Sequence, residues 1–275
     1  MTAYSRLYYF LPPTYNGNIA NGLDLSSGRS EKGDVVGLRL CQFSLHPGAC
    51  AIWAASAFLV ISPSVSASTI SGEAKFLGPV PNSHPIRVSK DQDYCGQTLP
   101  NEGTLIGPGQ GLKNVVVYLE KAPEAPAPFP RDKENLLDNN GCRMTPRVMA
   151  IRLGERLVIK NSDPKLHILH SYLEKRTVFN LSLPFQGTKM DITHKIKGPG
   201  LLQINCDTHA WMRGYLYVFD HPFFAVTDER GFFSIGDIPP GKYTLKAWHE
   251  EAGIQSREVV VPEDREIQIH WEFGK

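Results

Sequence analysis

Short runs in which every second residue is apolar recur along the chain from residue 69 onward. Such alternation is typical of β-strands with one buried face. It is clearest in residues 201–219, where an apolar strand, a short polar loop and a second apolar strand follow one another, with Tyr215, Tyr217 and Phe219 on one face of the second strand. The pattern predicts an all-β protein.

Further strands are predicted on both sides of this pair, separated by turns that contain Gly, Pro, Asn or Asp. Upstream they are residues 69–78, 86–88, 114–119 and 156–160, and downstream they are 225–235, 244–248, 256–261 and 266–273. Residues 121–134 begin with a stretch rich in Pro and Ala, which predicts an extended, exposed linker.

An apolar run at residues 49–61 ends in small residues and is followed by Val65-Ser66-Ala67. This pattern is typical of a secretory signal peptide cleaved after Ala67, and the run is too short to span a bilayer comfortably. The alternative is an uncleaved membrane anchor. Because the run lies far from Met1, we interpret residues 1–67 as a signal peptide with a spurious amino-terminal extension, the true start lying near residues 35–38. We therefore expect a bacterial periplasmic or secreted protein without a membrane span after cleavage.

Export changes the interpretation of the five cysteines. The two that precede residue 67 leave with the signal, and Cys206 lies in the polar loop described above. Cys95 and Cys142 then remain in an oxidising compartment, which predicts a disulfide that restrains the unfolded chain by roughly 3–4 kcal/mol. The alternative is a second metal site, for which Asp91 and Asp93 are the nearest acidic residues.

The charge balance excludes some classes of partner. Lys and Arg number 29 against 28 Asp and Glu, and no basic stripe is present. Nucleic acids and anionic membrane surfaces are therefore not expected as partners. No Gly-rich phosphate loop, Ser-His-Asp order or paired-carboxylate spacing occurs, so we do not expect an enzyme.

The loop between the strands at 201–219 carries a thiol, an imidazole and a thioether, at Cys206, His209 and Met212. These ligand types favour copper over zinc or a hard cation, and a type 1 copper site needs one more histidine. His167 follows an Asn-Ser-Asp-Pro turn at the start of a predicted strand. His170 lies beside the same turn and is the alternative ligand, although on a strand it points to the opposite face.

A simpler interpretation makes Cys206 a small buried apolar residue, His209 a surface residue and Met212 core filler. Each of these is common alone. The ordered set of four potential ligands favours the metal site.

The span from Met144 to Phe219 resembles cupredoxins of the plastocyanin, pseudoazurin and amicyanin kind. The matching features are Pro146-Arg147-Val148, Gly154-Glu155, Asn161 to Asp163, His167, Gly200, Cys206, His209, Met212 and Gly214-Tyr215-Leu216. The resemblance implies a Greek-key β-sandwich over residues 135–220 and one type 1 copper ion held by His167, Cys206, His209 and Met212. It also implies that His209 lies nearest the surface and serves as the electron port. Cupredoxins usually place Asn directly after the first His ligand, and this chain has Ile168 there.

The last block resembles the carboxypeptidase regulatory-like, or transthyretin-like, β-sandwich. The matching features are Thr227-Asp228-x2-Gly231-x-Phe233-x-Ile235 and Pro239-Pro240-Gly241-x-Tyr243-x-Leu245, with residues 70–74 and 115–119 upstream. A block of about fifty residues rarely buries enough apolar surface alone. We therefore expect residues 69–120 and 222–275 to form one discontinuous sandwich into which the cupredoxin domain is inserted.

These features predict one-electron transfer in the periplasm. The expected partner is a redox protein such as a c-type cytochrome or a periplasmic dehydrogenase. Two alternatives use the same features differently: a copper carrier or sensor without redox turnover, and a structural, adhesion-like β-sandwich protein.

Overall fold

The structure is a computed structural model that describes residues 68–79, 84–123 and 133–274. The signal peptide predicted in residues 1–67 and most of the linker predicted at 121–134 lie outside the described residues. Strands dominate the described ranges, which confirms the all-β prediction. Within these ranges, no helix is long and apolar enough to cross a membrane.

The chain before residue 120 contributes four strands and one short α-helix to the described structure. They are β1 (Ser68–Phe76), β2 (Ile86–Arg87), α1 (Gln92–Cys95), β3 (Thr98–Leu99) and β4 (Val116–Leu119). β1 alternates buried and half-buried residues along its whole length, as a strand with one face in a core does. β4 is buried at all four positions, so both of its faces are covered.

The middle of the chain forms a β-sandwich, called here the first sandwich. Its strands are β5 (Glu134–Asn139), β6 (Met144–Thr145), β7 (Val148–Arg152), β8 (Arg156–Asn161), β9 (His167–Leu173), β10 (Arg176–Leu183), β11 (Lys189–Asp191), β12 (Gly200–Cys206) and β13 (Arg213–Phe219). One sheet has the order β10-β9-β12-β13-β7 and the other the order β11-β8-β5-β6. Buried side chains from both sheets, among them Leu137, Ile159, Leu169 and Leu202, form one core.

Residues 224–273 form a second sandwich together with β1 and β4. The additional strands are β14 (Phe224–Val226), β15 (Phe232–Ile238), β16 (Gly241–His249), β17 (Gly253–Val261) and β18 (Glu266–Phe273). Its sheets have the orders β15-β1-β18 and β14-β4-β16-β17. β1 and β4 each lie between two carboxyl-terminal strands, so they complete sheets whose edges would otherwise be unpaired.

Aromatic side chains and one ion pair connect the two sandwiches. Tyr118 of β4 packs against Tyr217 of β13, with their hydroxyl oxygens 3.0 Å apart. Arg147, just before β7, makes a two-pronged ion pair with Glu250, which follows β16; one of its hydrogen bonds joins Nη2 to Oε2 at 2.7 Å. The Glu250 side chain is only 1% exposed, so this ion pair is buried.

Residues 86–99, which comprise β2, α1 and β3, are called here the strap. The sequence analysis assigned them to the second sandwich, but Val88 and Cys95 pack in the core of the first. The strap packs there because a covalent bond holds it: Cys95 forms the predicted disulfide with Cys142, in the turn between β5 and β6. The disulfide prediction is confirmed, and the strap belongs with the first sandwich.

Replacing Arg147 by Met should lower the free energy of unfolding by about 3–5 kcal/mol, because a buried carboxylate at Glu250 loses its partner. Lys113→Met is the control, since its partner Glu229 is 80% exposed and should lose little. Urea unfolding of both variants measures the difference. Equal losses in the two variants would contradict a stabilising role for the buried pair.

Candidate metal centre

Three potential ligands meet at one end of the first sandwich. His167 is the first residue of β9, Cys206 is the last residue of β12, and His209 lies in the loop that leads to β13. Because β12 pairs with β9, the ends of these strands are adjacent. The three ligand atoms lie within 4.8 Å of one another and all three residues are buried. A metal ion needs at least three such ligand atoms close together. Among the described residues, His167, Cys206 and His209 form the one group of His, Cys, Asp or Glu side chains that meets this condition.

The two imidazoles point the same ring nitrogen into the centre. Cys206 Sγ lies 3.7 Å from Nδ1 of His167 and 3.8 Å from Nδ1 of His209. The outward Nε2 of His167 lies 3.0 Å from Asp163 Oδ2, and that of His209 lies 2.8 Å from Asp91 Oδ2. A carboxylate accepts the Nε2–H proton and thereby fixes the tautomer, which leaves the Nδ1 lone pair free to bind a metal.

This arrangement requires a positive charge at its centre. The two Nδ1 atoms are 3.1 Å apart, a distance at which two lone pairs repel unless a proton or a metal ion lies between them. Burial lowers the pKa of His167, but hydrogen bonds to Asp163 and Cys206 outweigh it and raise the pKa to about 9. We therefore expect a proton on His167 to supply this charge in the metal-free protein.

Cys206 is prepared to bind a metal as a thiolate. Burial raises the pKa of Cys206, but hydrogen bonds from His167, His209 and Thr208 outweigh it and lower the pKa to about 5. One thiolate and two imidazole nitrogens suit copper, with the thiolate as the soft ligand. The donor set therefore fits the copper ion that the sequence analysis predicted.

The buried carboxylate of Asp163 is held by three donors besides His167. They are the backbone N–H groups of Gly141 and Cys142, at 2.7 and 2.9 Å, and the hydroxyl of Tyr94, at 2.9 Å. Gly141 and Cys142 have φ values of 63° and 57°, and successive N–H groups in such a turn form an anion-binding nest. Burial raises the pKa of Asp163, but these hydrogen bonds outweigh it, so the carboxylate stays ionised.

Two hydrogen bonds connect the ligand loops. The backbone N–H of Asp207 donates to the carbonyl of Ile168 at 2.8 Å, and the hydroxyl of Thr208 donates to the carbonyl of Leu166 at 3.0 Å. Ile168, which stands where the resemblance expects Asn, takes part through its backbone carbonyl. The loops are therefore fixed to one another by other groups.

Met212 is buried and lies where the ligand loop closes on itself. Its backbone N–H donates to the carbonyl of His209 at 2.9 Å, and its carbonyl accepts the N–H of Cys206 at 3.2 Å. These bonds hold the backbone of Met212 against that of Cys206. Met212 also belongs to the same buried cluster as Cys206.

His170, the alternative ligand, makes its hydrogen bonds outside the candidate site. Its Nδ1 lies 2.8 Å from the hydroxyl of Tyr172 and its Nε2 lies 2.8 Å from the hydroxyl of Thr177. His167 is buried and His170 is half-buried, as the alternation of β9 requires. Both ring nitrogens of His170 thus have partners outside the group formed by His167, Cys206 and His209.

The expectation that His209 lies nearest the surface is wrong. Its side chain is 0% exposed. Asp91 of the strap lies against Nε2 of the ring, and Trp211, from the loop between β12 and β13, packs beside the ring with centroids 5.0 Å apart. The Trp211 Nε1–H in turn donates to the carbonyl of Cys142 at 3.1 Å.

Sequence reasoning did not identify the two carboxylates as partners of the ligands. Asp163 could have been found, since it precedes His167 by four residues and metal-binding histidines usually donate their second N–H to a carboxylate or carbonyl. Asp91 is 118 residues from His209. No local pattern could have connected these two residues.

In the metal-free protein, Cys206 should remain a thiolate at pH values well below the usual pKa of a cysteine thiol. We expect the ultraviolet absorbance of the thiolate to disappear with a midpoint near pH 5 on acidification. The same titration of Cys206→Ser provides the baseline, because it removes this thiol and retains the disulfide and every tyrosine. An ordinary midpoint, several pH units higher, would contradict the hydrogen-bonding arrangement described above.

No protein-family model matches the chain, and a search of curated proteins found no match. Solved structures similar to part of it are cupredoxins and a copper enzyme. A reduced amicyanin variant is 14% identical over 38% of this chain and 98% of its own, with a TM-score of 0.29. A purple cupredoxin from Nitrosopumilus maritimus is 20% identical over 32% of this chain and 100% of its own, with a TM-score of 0.27.

A copper-containing nitrite reductase from Thermus scotoductus is 18% identical over 36% of this chain, with a TM-score of 0.28. The match spans only 25% of the nitrite reductase chain. These TM-scores are too low to support an inference, so the function is argued from the geometry of the site.

Proposed function

We propose that this protein binds one type 1 copper ion through His167, Cys206, His209 and Met212 and transfers single electrons. The observation that carries the proposal is the convergence of two imidazole Nδ1 atoms and one thiolate in a buried site. These residues would hold copper, which when bound would supply one-electron chemistry through its Cu(II) and Cu(I) states.

The residues around the site limit rearrangement during such a cycle. His167 and Cys206 lie at the ends of paired strands, and the carboxylates of Asp163 and Asp91 hold the two imidazoles from outside. A site whose ligands are locked by packing and by hydrogen bonds keeps one geometry for both oxidation states. Complete burial of the three ligands also excludes water from the centre.

Met212 is proposed as the fourth residue that would hold the copper ion, as a weak thioether ligand. The hydrogen bonds that join its backbone to Cys206 and His209 keep it beside the other ligands. A thioether binds Cu(II) weakly, so Met212 would adjust the reduction potential and contribute little to the affinity.

Electron transfer is favoured over copper carriage by the way the site is closed. A carrier must release its ion, whereas here both imidazoles are anchored and His209 is covered by the strap. The proposed partner is a redox protein, such as a c-type cytochrome or a periplasmic dehydrogenase. No enzymatic turnover is part of the proposal.

A periplasmic or secreted location is part of the proposal. The Cys95–Cys142 disulfide supports it, because disulfides persist in oxidising compartments. The predicted cleavage after Ala67 would keep residues 68–76, which form β1, in the mature chain.

Cys206→Ser should abolish the intense visible absorption of the copper-loaded protein, since the band arises from the thiolate. Met212→Leu should keep the band and raise the reduction potential, because a donor that stabilises Cu(II) is removed. Visible spectroscopy and potentiometry measure the two effects. A full band in Cys206→Ser would refute the ligand assignment.

Export should yield a mature protein that begins at Ser68, give or take a few residues. Amino-terminal sequencing of material from a periplasmic extract measures this directly. Recovery of a full-length protein in the cytoplasm would contradict both the cleavage site and the proposed location.

A further inference from the structure

The strap closes the side of the candidate copper site on which the ring of His209 lies. Val88 and Cys95 of the strap share a buried cluster with Cys206 and Met212. Asp91, between β2 and α1, reaches the ring and accepts the Nε2–H proton at 2.8 Å. Asp91 lies outside the strands of the first sandwich and contacts the proposed ligand His209 through the ring nitrogen that faces away from the centre.

The backbone around Asp91 is held firmly in an uncommon conformation. Asp91 has a φ of 53°, in the left-handed region, and its carbonyl accepts the N–H groups of Tyr94 and Cys95 at 3.0 and 2.9 Å. Non-glycine residues adopt this region at a cost, and such strain clusters at functional sites. The residue in this conformation is the one whose carboxylate lies against His209.

The disulfide joins the supports of both imidazoles. Cys95 ends α1, which begins immediately after Asp91, and Cys142 donates its N–H to Asp163, the partner of His167. One covalent bond therefore ties the segment that carries Asp91 to the turn that holds Asp163. His209 itself lies in a loop between β12 and β13, so its ring depends on Asp91 more than a strand residue would.

We propose that Asp91 is a positioning residue for copper: its carboxylate fixes His209 in the tautomer that presents Nδ1 to the metal, and its negative charge stabilises Cu(II). The inference rests on the proposed copper site. Carboxylates in this position raise the basicity of the ligating ring, and their removal typically costs about 10–100-fold in metal affinity. The strap thereby becomes part of the metal site.

Asp93 provides a matched control within the strap. Lys165 Nζ lies 2.6 Å from Asp93 Oδ2 and 3.7 Å from Asp91 Oδ1, so both carboxylates share this cation. The Asp93 side chain is 73% exposed and has no hydrogen bond to His209. Asp93→Asn removes a charge from the same segment and leaves the contact with His209 intact.

Two substitutions of Asp91 separate its charge from its contact. Asp91→Asn tolerates the left-handed backbone and keeps an oxygen that can accept the Nε2–H proton, but it removes the charge. Asp91→Gly also tolerates that backbone and removes the contact. Full-length protein with an intact disulfide, verified by mass spectrometry, is used throughout.

Copper retention and the reduction potential are the readouts for the loaded protein. With bathocuproine disulfonate and a reductant, Asp91→Gly should lose copper about tenfold faster than the wild type, or more. Asp91→Asn should retain copper better than Asp91→Gly and show a raised reduction potential. Asp93→Asn should match the wild type in both measurements.

A readout that needs no copper is the imidazole proton resonance of His209 in the metal-free protein. The Nε2–H proton should be slow to exchange in the wild type and in Asp93→Asn, and should exchange rapidly in Asp91→Gly. If both Asp91 variants match Asp93→Asn in retention, potential and proton exchange, the inference is wrong while the copper site stands. If the wild type takes up no copper, the proposed function fails and this inference fails with it.

Discussion

Two imidazoles and a thiolate share a space from which solvent is excluded, and the repulsion among them is the constraint that the surrounding structure satisfies. The Nδ1 atoms of His167 and His209 are 3.1 Å apart, and each lies within 3.8 Å of Cys206 Sγ. In a buried site an unpaired lone pair or charge is costly. A proton or a copper ion at the centre would remove the repulsion between the two Nδ1 lone pairs, while Asp163 and Asp91 accept the Nε2–H groups on the outside.

The rest of the fold positions these groups. The paired strands β9 and β12 bring His167 and Cys206 together, and the disulfide brings the strap across the ring of His209. The second sandwich supports the first through aromatic contacts and through the buried pair of Arg147 and Glu250. Strands from residues 68–119 and from residues 224–273 build that second sandwich.

Local sequence patterns predicted what depends on local structure. Alternation identified the strands, and the spacing of Cys206, His209 and Met212 predicted a ligand loop between two strands that the structure pairs directly. The place of the strap depends on a disulfide and on packing between distant segments, which periodicity does not encode. For the same reason the contact between Asp91 and His209 could not be predicted, and His209 was expected at the surface.

The most direct measurement is a titration of the metal-free wild-type protein with copper, followed by visible absorption and electron paramagnetic resonance. The account predicts an intense thiolate-to-copper band that grows linearly and stops at one equivalent, with the resonance signal of a single type 1 site. Copper that binds without this band, or a signal that continues to grow beyond one equivalent, would contradict the account.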